Sequence, residues 1–369
     1  NYQCLEYKAI ILEMAYMTSK TQTLEKMYIK KARVVVWWSL MDYRQLQNRQ
    51  KGFIKWYFWS LTYKDCDPPI WMLNYLFDRF EHNLEQKYWI AWIYGTTYHL
   101  PTAWVIWNEF PDFELVDYDR LKEWNDNNYP RLRYQTDTKY NKGYLPAQFA
   151  SYKRWVEHNN PQRTQRAKFK VYKDKNSFNY LWESIVQNLY KFGRYSTWFY
   201  MQTLKQCVDV KLEPPTLKFE DHSGSKSHRN GMCYAMGKDH WVDKKLSKDQ
   251  LAYLDSGAED IQDQIRYLAR DTNNPASDTD LYNLETCLCS YKKLFRTKDG
   301  RYLGYYLDRQ AEEIKKVEQD NWNGIDWQVF WDGRKELLHK ELHMSEMLHK
   351  ELYPMFLETG SFERESCPI

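Results

Sequence analysis

Apolar residues recur three and four positions apart through most of the chain, the spacing of amphipathic helices. Residues 71–92 predict one long helix with Leu73, Leu76, Phe77, Phe80, Leu84, Tyr88 and Ile90 on its buried side. Before it, residues 34–38 and 53–59 are strongly apolar within a Lys-, Arg- and Gln-rich setting, and residues 2–60 read as mainly helical. Asp65-Cys66-Asp67-Pro68-Pro69 interrupts the pattern, because proline restricts both itself and its predecessor. Gly95 and Pro101 bracket a short connector. In the second half, residues 179–191 and 198–207 predict two helices. Ser247 and Gln250 form a capping box that opens another, through Leu251, Leu254, Ile261, Ile265 and Leu268. Strand-favouring residues are scattered, so the fold class is mainly α and multi-helical.

Residues 285–317 carry the densest chemistry. They read as two helices joined at Lys298-Asp299-Gly300, since Asp-Gly is a strong local breaker. On the first helix Leu281, Leu284, Leu288, Tyr291 and Phe295 face the core, and Glu285, Cys289 and Lys292 form a polar stripe beside them. On the second, Leu303, Leu307, Ile314 and Val317 mark the buried side, with Tyr305, Asp308, Arg309 and Glu312 opposite. Two such stripes could face one another across a cleft; they could equally be solvated ion pairs. Glu313, Lys315 and Lys316 read as ordinary exposed helix charges.

Three segments depart from helical periodicity. Residues 108–144 are polar and aromatic, with one short helix at 119–124; long ordered loops of this kind are usually functional. Arg131, Arg133, Lys139 and Lys142 suit phosphate there, with Tyr134 and Tyr140 available to stack. Residues 153–175 are the most basic window, and Arg163, Arg166, Lys168 and Lys170 read as contacts to a nucleic-acid backbone. The loop at 221–231, placed before a helix at 232–236, combines small hydroxyl residues, glycine and cations. Ser225, Lys226, His228, Arg229 and Gly231 there suit phosphate or pyrophosphate, although the spacing is not that of a Walker loop.

Composition narrows the picture. The 369 residues can build two or three packed units, and a mean hydropathy of −0.83 beside 17% aromatic residues leaves Trp and Tyr to carry much of the burial. The same aromatics, mixed with cations, suit base stacking. A net charge of +3 is too small to identify a nucleic-acid partner by itself. Seven cysteines without a paired CxxC pattern argue against a disulfide scaffold or zinc ribbon and for a reducing cytoplasm. No apolar run is long enough to span a bilayer, and no membrane partner is expected. His339 and His343 have zinc-binding spacing, but Lys340 stands where a hydrolase needs its glutamate and no third ligand is evident. No metal site is assigned.

FGRYSTW at 192–198, SKSHRNGMCYAMG at 225–237, ETCLCSYKKLF at 285–295 and GRYLGYYLDRQAEEI at 300–314 occur in an order that resembles the phage α-glutamyl/putrescinyl-thymine pyrophosphorylases. These are also described as amino acid:DNA transferases, with a helix-hairpin-helix, DNA-glycosylase-like fold. The resemblance covers mainly residues 180–330, and together with the patterns above it divides the chain into four expected regions. These are an aromatic-rich helical N-terminal region (1–150), a basic linker (151–178), a glycosylase-like catalytic and DNA-binding domain (179–335) and a C-terminal helix and tail (336–369).

The implied activity joins an amino-acid or polyamine amine to pyrophosphorylated 5-hydroxymethyluracil in duplex phage DNA, in the cytoplasm of the infected host. Reaching that base requires flipping it from the stack. Under this resemblance Lys226, His228 and Arg229 would receive pyrophosphate, with Arg194 on phosphate. Asp308, or else Glu285, would be the base, and Arg309 or Lys292 would hold the donor's carboxylate, with Glu312 beside them. Tyr305 would stack on the flipped base next to Cys289. No cofactor is indicated, although Mg²⁺ could assist pyrophosphate departure. Arg229-Asn230-Gly231 departs from the Gly-rich hairpin of base-excising glycosylases, which disfavours excision. A glycosylase and a non-catalytic helical nucleic-acid binder remain the alternatives.

Overall fold

The computed structural model describes residues 45–172, 177–220, 226–270, 279–295 and 306–338. Ser225, Tyr305, His339 and His343 lie outside the described residues, as do the acidic and serine-rich start of the 221–231 loop and the Asp299-Gly300 turn. The described residues hold fourteen α-helices and no strand. In chain order they are α1 (Arg49–Thr62), α2 (Pro68–Arg79), α3 (Leu84–Thr97), α4 (Leu100–Glu109), α5 (Tyr118–Asn128), α6 (Leu145–Glu157) and α7 (Gln165–Phe169). There follow α8 (Ser177–Asn188), α9 (Arg194–Val208), α10 (Ser227–Ala235), α11 (Lys248–Ala269), α12 (Leu281–Tyr291), α13 (Tyr306–Glu318) and α14 (Gln328–Leu337). None is long and apolar enough to cross a membrane.

The long helix predicted over 71–92 is two helices. α2 ends at Arg79, Glu81 adopts a left-handed backbone (φ 48°), and α3 starts again behind Asn83. The Asn83 side chain accepts from the Gln86 N–H while Gln86 reaches back to the Asn83 N–H, a capping box within an apolar run that periodicity alone reads as continuous. α3 is buried on all sides from Tyr88 to Thr97 and forms the central strut, packed on α4 and α9. At its crossing with α9 a side chain on Gly95 would place Cβ 2.7 Å from the Cβ of Tyr200, so only glycine permits this approach.

The aromatic content belongs largely to this core. Trp89 stacks on Trp92 at 5.0 Å and Trp92 on Tyr152 at 4.7 Å. The Trp89 indole donates to the Phe110 carbonyl and the Trp56 indole to Ser290 Oγ, whereas the buried Trp92 and Trp198 indoles find no acceptor among the described residues. The low mean hydropathy is therefore compatible with a dense interior. Tyr134, expected to stack on bases, is one of the buried rings, whereas Tyr140 is exposed.

One buried cluster runs from Phe53 to Leu338. α1 and α10 pack on α12, α9 on α3, α13 on α2 and α4, and α14 on α2. The N-terminal region and the region after residue 179 thus share a core. Within the basic segment, α6 and α7 are packed in: Gln165 is buried and bonds Glu85 and Tyr152. Arg163, Arg166 and Lys170 stay exposed, while Lys168 lies over the Trp155 ring at 4.9 Å. Residues 118–128 form a longer helix than the short one expected at 119–124.

Candidate active site

The helix after the 221–231 loop starts at Ser227, five residues before the predicted start, and this changes what its polar residues do. His228 and Arg229 lie in its first turn and are buried, Arg229 donating to the Phe219 carbonyl at 3.0 Å. A Cβ on Gly231 would lie 2.0 Å from the Leu288 carbonyl oxygen, so this glycine allows α10 to cross α12. Lys226 is half-buried just ahead of the helix.

That crossing assembles a charged cluster away from solvent. Glu285 on α12, His228 on α10 and Arg194 at the start of α9 are each about 3% exposed or less. Glu285 Oε1 lies 3.5 Å from His228 Nδ1 and 3.9 Å from Arg194 Nη1. Arg194 Nη2 lies 2.8 Å from His228 Nε2. The same Nε2 lies 3.0 Å from the Leu217 carbonyl oxygen, so this nitrogen faces both a guanidinium donor and a carbonyl acceptor. Burial first, and then the Arg194 charge, push the His228 pKa well down, so the imidazole is neutral. Burial raises the Glu285 carboxyl from 4.5 to about 7, although Arg194 pulls it down. Its Oε2 has no hydrogen-bond partner among the described residues.

The stripe predicted on α12 is present as a unit, since Cys289 adjoins this cluster and Lys292 donates to Ser227 Oγ at 2.6 Å. It faces α10, however, while α13 turns to other neighbours. The His228, Glu285 and Cys289 donor atoms lie within 4.8 Å of one another, a spacing compatible with a metal. Arg194, in contact with two of the three residues, would oppose a cation there. Burial also holds the Cys289 thiol well above its ordinary pKa, so it is not a thiolate at neutral pH.

The second half of the site lies around the Asp65-Cys66-Asp67 break. Asp65 Oδ1 accepts the Leu307 N–H and so anchors the first turn of α13. Cys66 Sγ lies 3.7 Å from the Asn283 carbonyl on α12. Asp67 Oδ2 accepts from Gln202 Nε2 on α9 (2.6 Å) and from Thr286 Oγ1 on α12 (2.5 Å). Burial raises Asp67 from 3.8 to about 6, with these two bonds opposing. Asp67 and Tyr98 both hold left-handed backbones (φ 46° and 47°), a costly state for non-glycine residues that clusters at functional sites. Both line a cavity of about 20 Å³ with Tyr94, Tyr306, Arg309 and Glu313. Tyr195 joins the halves electrostatically, within reach of Arg309, Cys289 and Glu285.

A larger, open cavity of about 330 Å³ shares Arg309 and Glu313 with the smaller one. The 131–135 segment and α13 form its walls. The acidic and basic residues predicted to share one face of α13 divide between environments. Asp308 lines neither cavity and is buried where Arg334 and Asp65 feel its charge. Arg309 lines both cavities, and Glu312 lies exposed in the larger one. Glu313, expected on the surface, is buried; Arg309 Nε and Gln135 Nε2 donate to its Oε1 at 2.7 and 2.6 Å. The covering Gln135 comes from a segment no helical wheel contains. Asp67, Tyr98, Tyr306 and His99 likewise carry no helical-face signal in the sequence. The only sequence signal for Asp67 is the pair of acids around Cys66 ahead of a double proline.

The amino acid:DNA transferase family matches residues 63–299, from just before the Asp67 turn through α12. A serinyltransferase of Salmonella phage ViI is 25% identical over 348 residues, covering 87% of this chain and 83% of that protein. No solved structure matches. A match over more than half of the chain, spanning both the Asp67 turn and the Glu285 cluster, establishes that the chain belongs to the amino acid:DNA transferases, phage enzymes that modify DNA.

Proposed function

We propose that this transferase joins an amino acid, or a polyamine, to the exocyclic methylene carbon of pyrophosphorylated 5-hydroxymethyluracil in duplex DNA inside an infected bacterium. The donor's nucleophile forms a bond to that carbon, the bond from carbon to the pyrophosphate oxygen breaks, and the donor loses one proton. The ViI relative is named for serine, which makes serine the first donor to test. Serine offers an amine and a hydroxyl; either must shed a proton on attack, so a base is needed in both cases.

Asp67 carries this reading. It is a buried carboxylate with a pKa of about 6 in a strained turn beside a small cavity, within the stretch the family spans. Its affinity for protons suits a general base near neutral pH. The cavity's size decides what enters: about 20 Å³ admits an ammonium-sized group and excludes a nucleobase. The rings of Tyr94, Tyr98 and Tyr306 favour a cation there, and Arg309 at its edge suits the donor's carboxylate. A flipped base then belongs in the larger cavity, which Arg309 also lines. Glu285, behind Asp67 and destabilised by its charge, is a second store for the proton. Asp308 lines neither cavity, so we assign the role of base to Asp67 instead.

The test is Asp67→Asn, incubated with pyrophosphorylated hydroxymethyluracil duplex and a panel of amino acids and polyamines, followed by nucleoside mass spectrometry. A drop in the transfer rate of about 100-fold or more, with duplex binding retained, is expected for loss of a general base. Unchanged turnover removes Asp67 from the chemistry. No mass gain with any donor on the wild-type protein sinks the transfer reaction, and release of free base would assign a glycosylase instead.

A further inference from the structure

We infer that the larger cavity is a seat for phosphoryl oxyanions, formed by the 131–142 segment and the outer face of α13. This relocates the anion site from the 221–231 loop, whose described arginine and histidine are buried and bonded internally. The cavity is lined by Arg133, Lys139, Lys142, Arg309 and Lys316, against the carboxylates Glu312 and Glu313. Each carboxylate already has a cation. Glu313 takes Arg309, Glu312 takes Lys316 at 3.2 Å, and Asp320 outside the lining takes Arg133 at 2.9 Å.

Among the described side chains the charge left over is positive and belongs to two lysines. Among the described residues, Lys142 Nζ reaches the Pro130 and Leu132 carbonyl oxygens, at 3.2 and 3.4 Å. Lys139 Nζ lies 4.9 Å from the Tyr140 ring, which is itself exposed. Carbonyl and ring partners leave the ammonium charge uncancelled, so an incoming anion gains both charges without breaking an ion pair. His99 adds a directed neutral donor. Its Nδ1 accepts the Thr102 N–H at 3.2 Å, which fixes the neutral ring's hydrogen on Nε2, and the ring lines the cavity.

A volume of about 330 Å³, open to solvent, accommodates two linked phosphoryl groups. Sharing Arg309 with the Asp67 cavity places such an anion next to the proposed chemistry. The oxyanions have two sources: the pyrophosphate leaving group, or backbone phosphates of the bound strand. Naming the first rests on the transferase reading; the seat itself does not.

Calorimetry at fixed ionic strength with inorganic pyrophosphate, inorganic phosphate and unmodified duplex, on the wild type and on Lys139→Ala/Lys142→Ala, tests the inference without turnover. Single-site pyrophosphate binding, stronger than that of phosphate and at least tenfold weaker in the double variant, supports the seat and assigns it to the leaving group. No pyrophosphate binding, with a variant whose duplex affinity falls and whose salt dependence loses about two phosphates' worth of slope, supports the seat and assigns it to the backbone. Unchanged binding of both ligands in a folded double variant overturns it. A protein that binds pyrophosphate at this seat yet transfers nothing would break the transfer reaction alone and leave the seat standing.

Discussion

The Glu285 cluster and the lysine-lined cavity handle charge in opposite ways. Around Glu285 there are few ionisable groups, nearly all buried, and the environment shifts their proton affinities strongly. Around Lys139 and Lys142 there are many charges, largely open to solvent and paired in part. A low-dielectric pocket makes each group's protonation state matter, which suits proton transfer. An open basic cavity suits capture of a charged substrate, where strength comes from number and is screened by salt. Asp67 and Arg309 stand at the seam between them.

The largest effect that would break the comparison is on the buried side. Arg194→Met leaves Glu285 without its guanidinium, and removing one partner of a buried pair costs about 3–5 kcal/mol. The cost should be confined to pH at or above about 7, where Glu285 is ionised, and should shrink at pH 5, where it is protonated. Denaturant unfolding at pH 8 and pH 5 measures this. An equal loss at both would mean that Arg194 acts through packing and not through charge.

Glu285→Gln sharpens the same point with a smaller effect. The folded carboxyl titrates near 7 against an ordinary 4.5, so the native state holds the extra proton between those values. Wild-type stability from this group is therefore full below pH 4.5 and is lost as pH rises through 7. Glutamine mimics the protonated form. The variant should gain on the wild type by about 3 kcal/mol between pH 4 and pH 8, at about 1.4 kcal/mol per tenfold. A pH-independent difference would show that Glu285 is not held protonated by its surroundings.

The same division explains what the sequence made legible. Periodicity found the helical class and most of the buried faces, though Phe80 and Leu268, expected on them, are exposed, and the Ser247/Gln250 box marks the start of α11 as predicted. It also grouped Glu285, Cys289 and Lys292 correctly, because those residues share a face of one helix. It failed where a residue's surroundings come from elsewhere in the chain. Glu313 looks exposed on its own helix and is buried by Gln135, 178 positions away. Asp67 looks like part of a loop break and is held by Gln202 and Thr286, 135 and 219 positions away. His228 looked like a loop ligand until α10 began earlier and carried it inward. Arg309 and Asp308 are neighbours in sequence, and the 100° between successive helical residues sends one to the cavity and the other toward Arg334.

On the open side the effects should be small and salt-dependent, and Lys316→Ala isolates one. Lys316 and Glu312 form an i,i+4 pair at 3.2 Å with both side chains more than half exposed. Such pairs contribute about 0.3–0.5 kcal/mol, and screening at 1 M salt should erase the difference from wild type. Anion affinity should fall by only a few fold, since Lys139 and Lys142 remain. Thermal and denaturant unfolding at 0.05 M and 1 M salt measure the first expectation, and pyrophosphate titration measures the second. A loss above about 2 kcal/mol that survives high salt would exceed what an exposed helix pair can supply. Lys316 would then be acting through desolvated contacts like those of Arg194, and the contrast between a dry proton-handling side and a wet anion-capturing side would not hold.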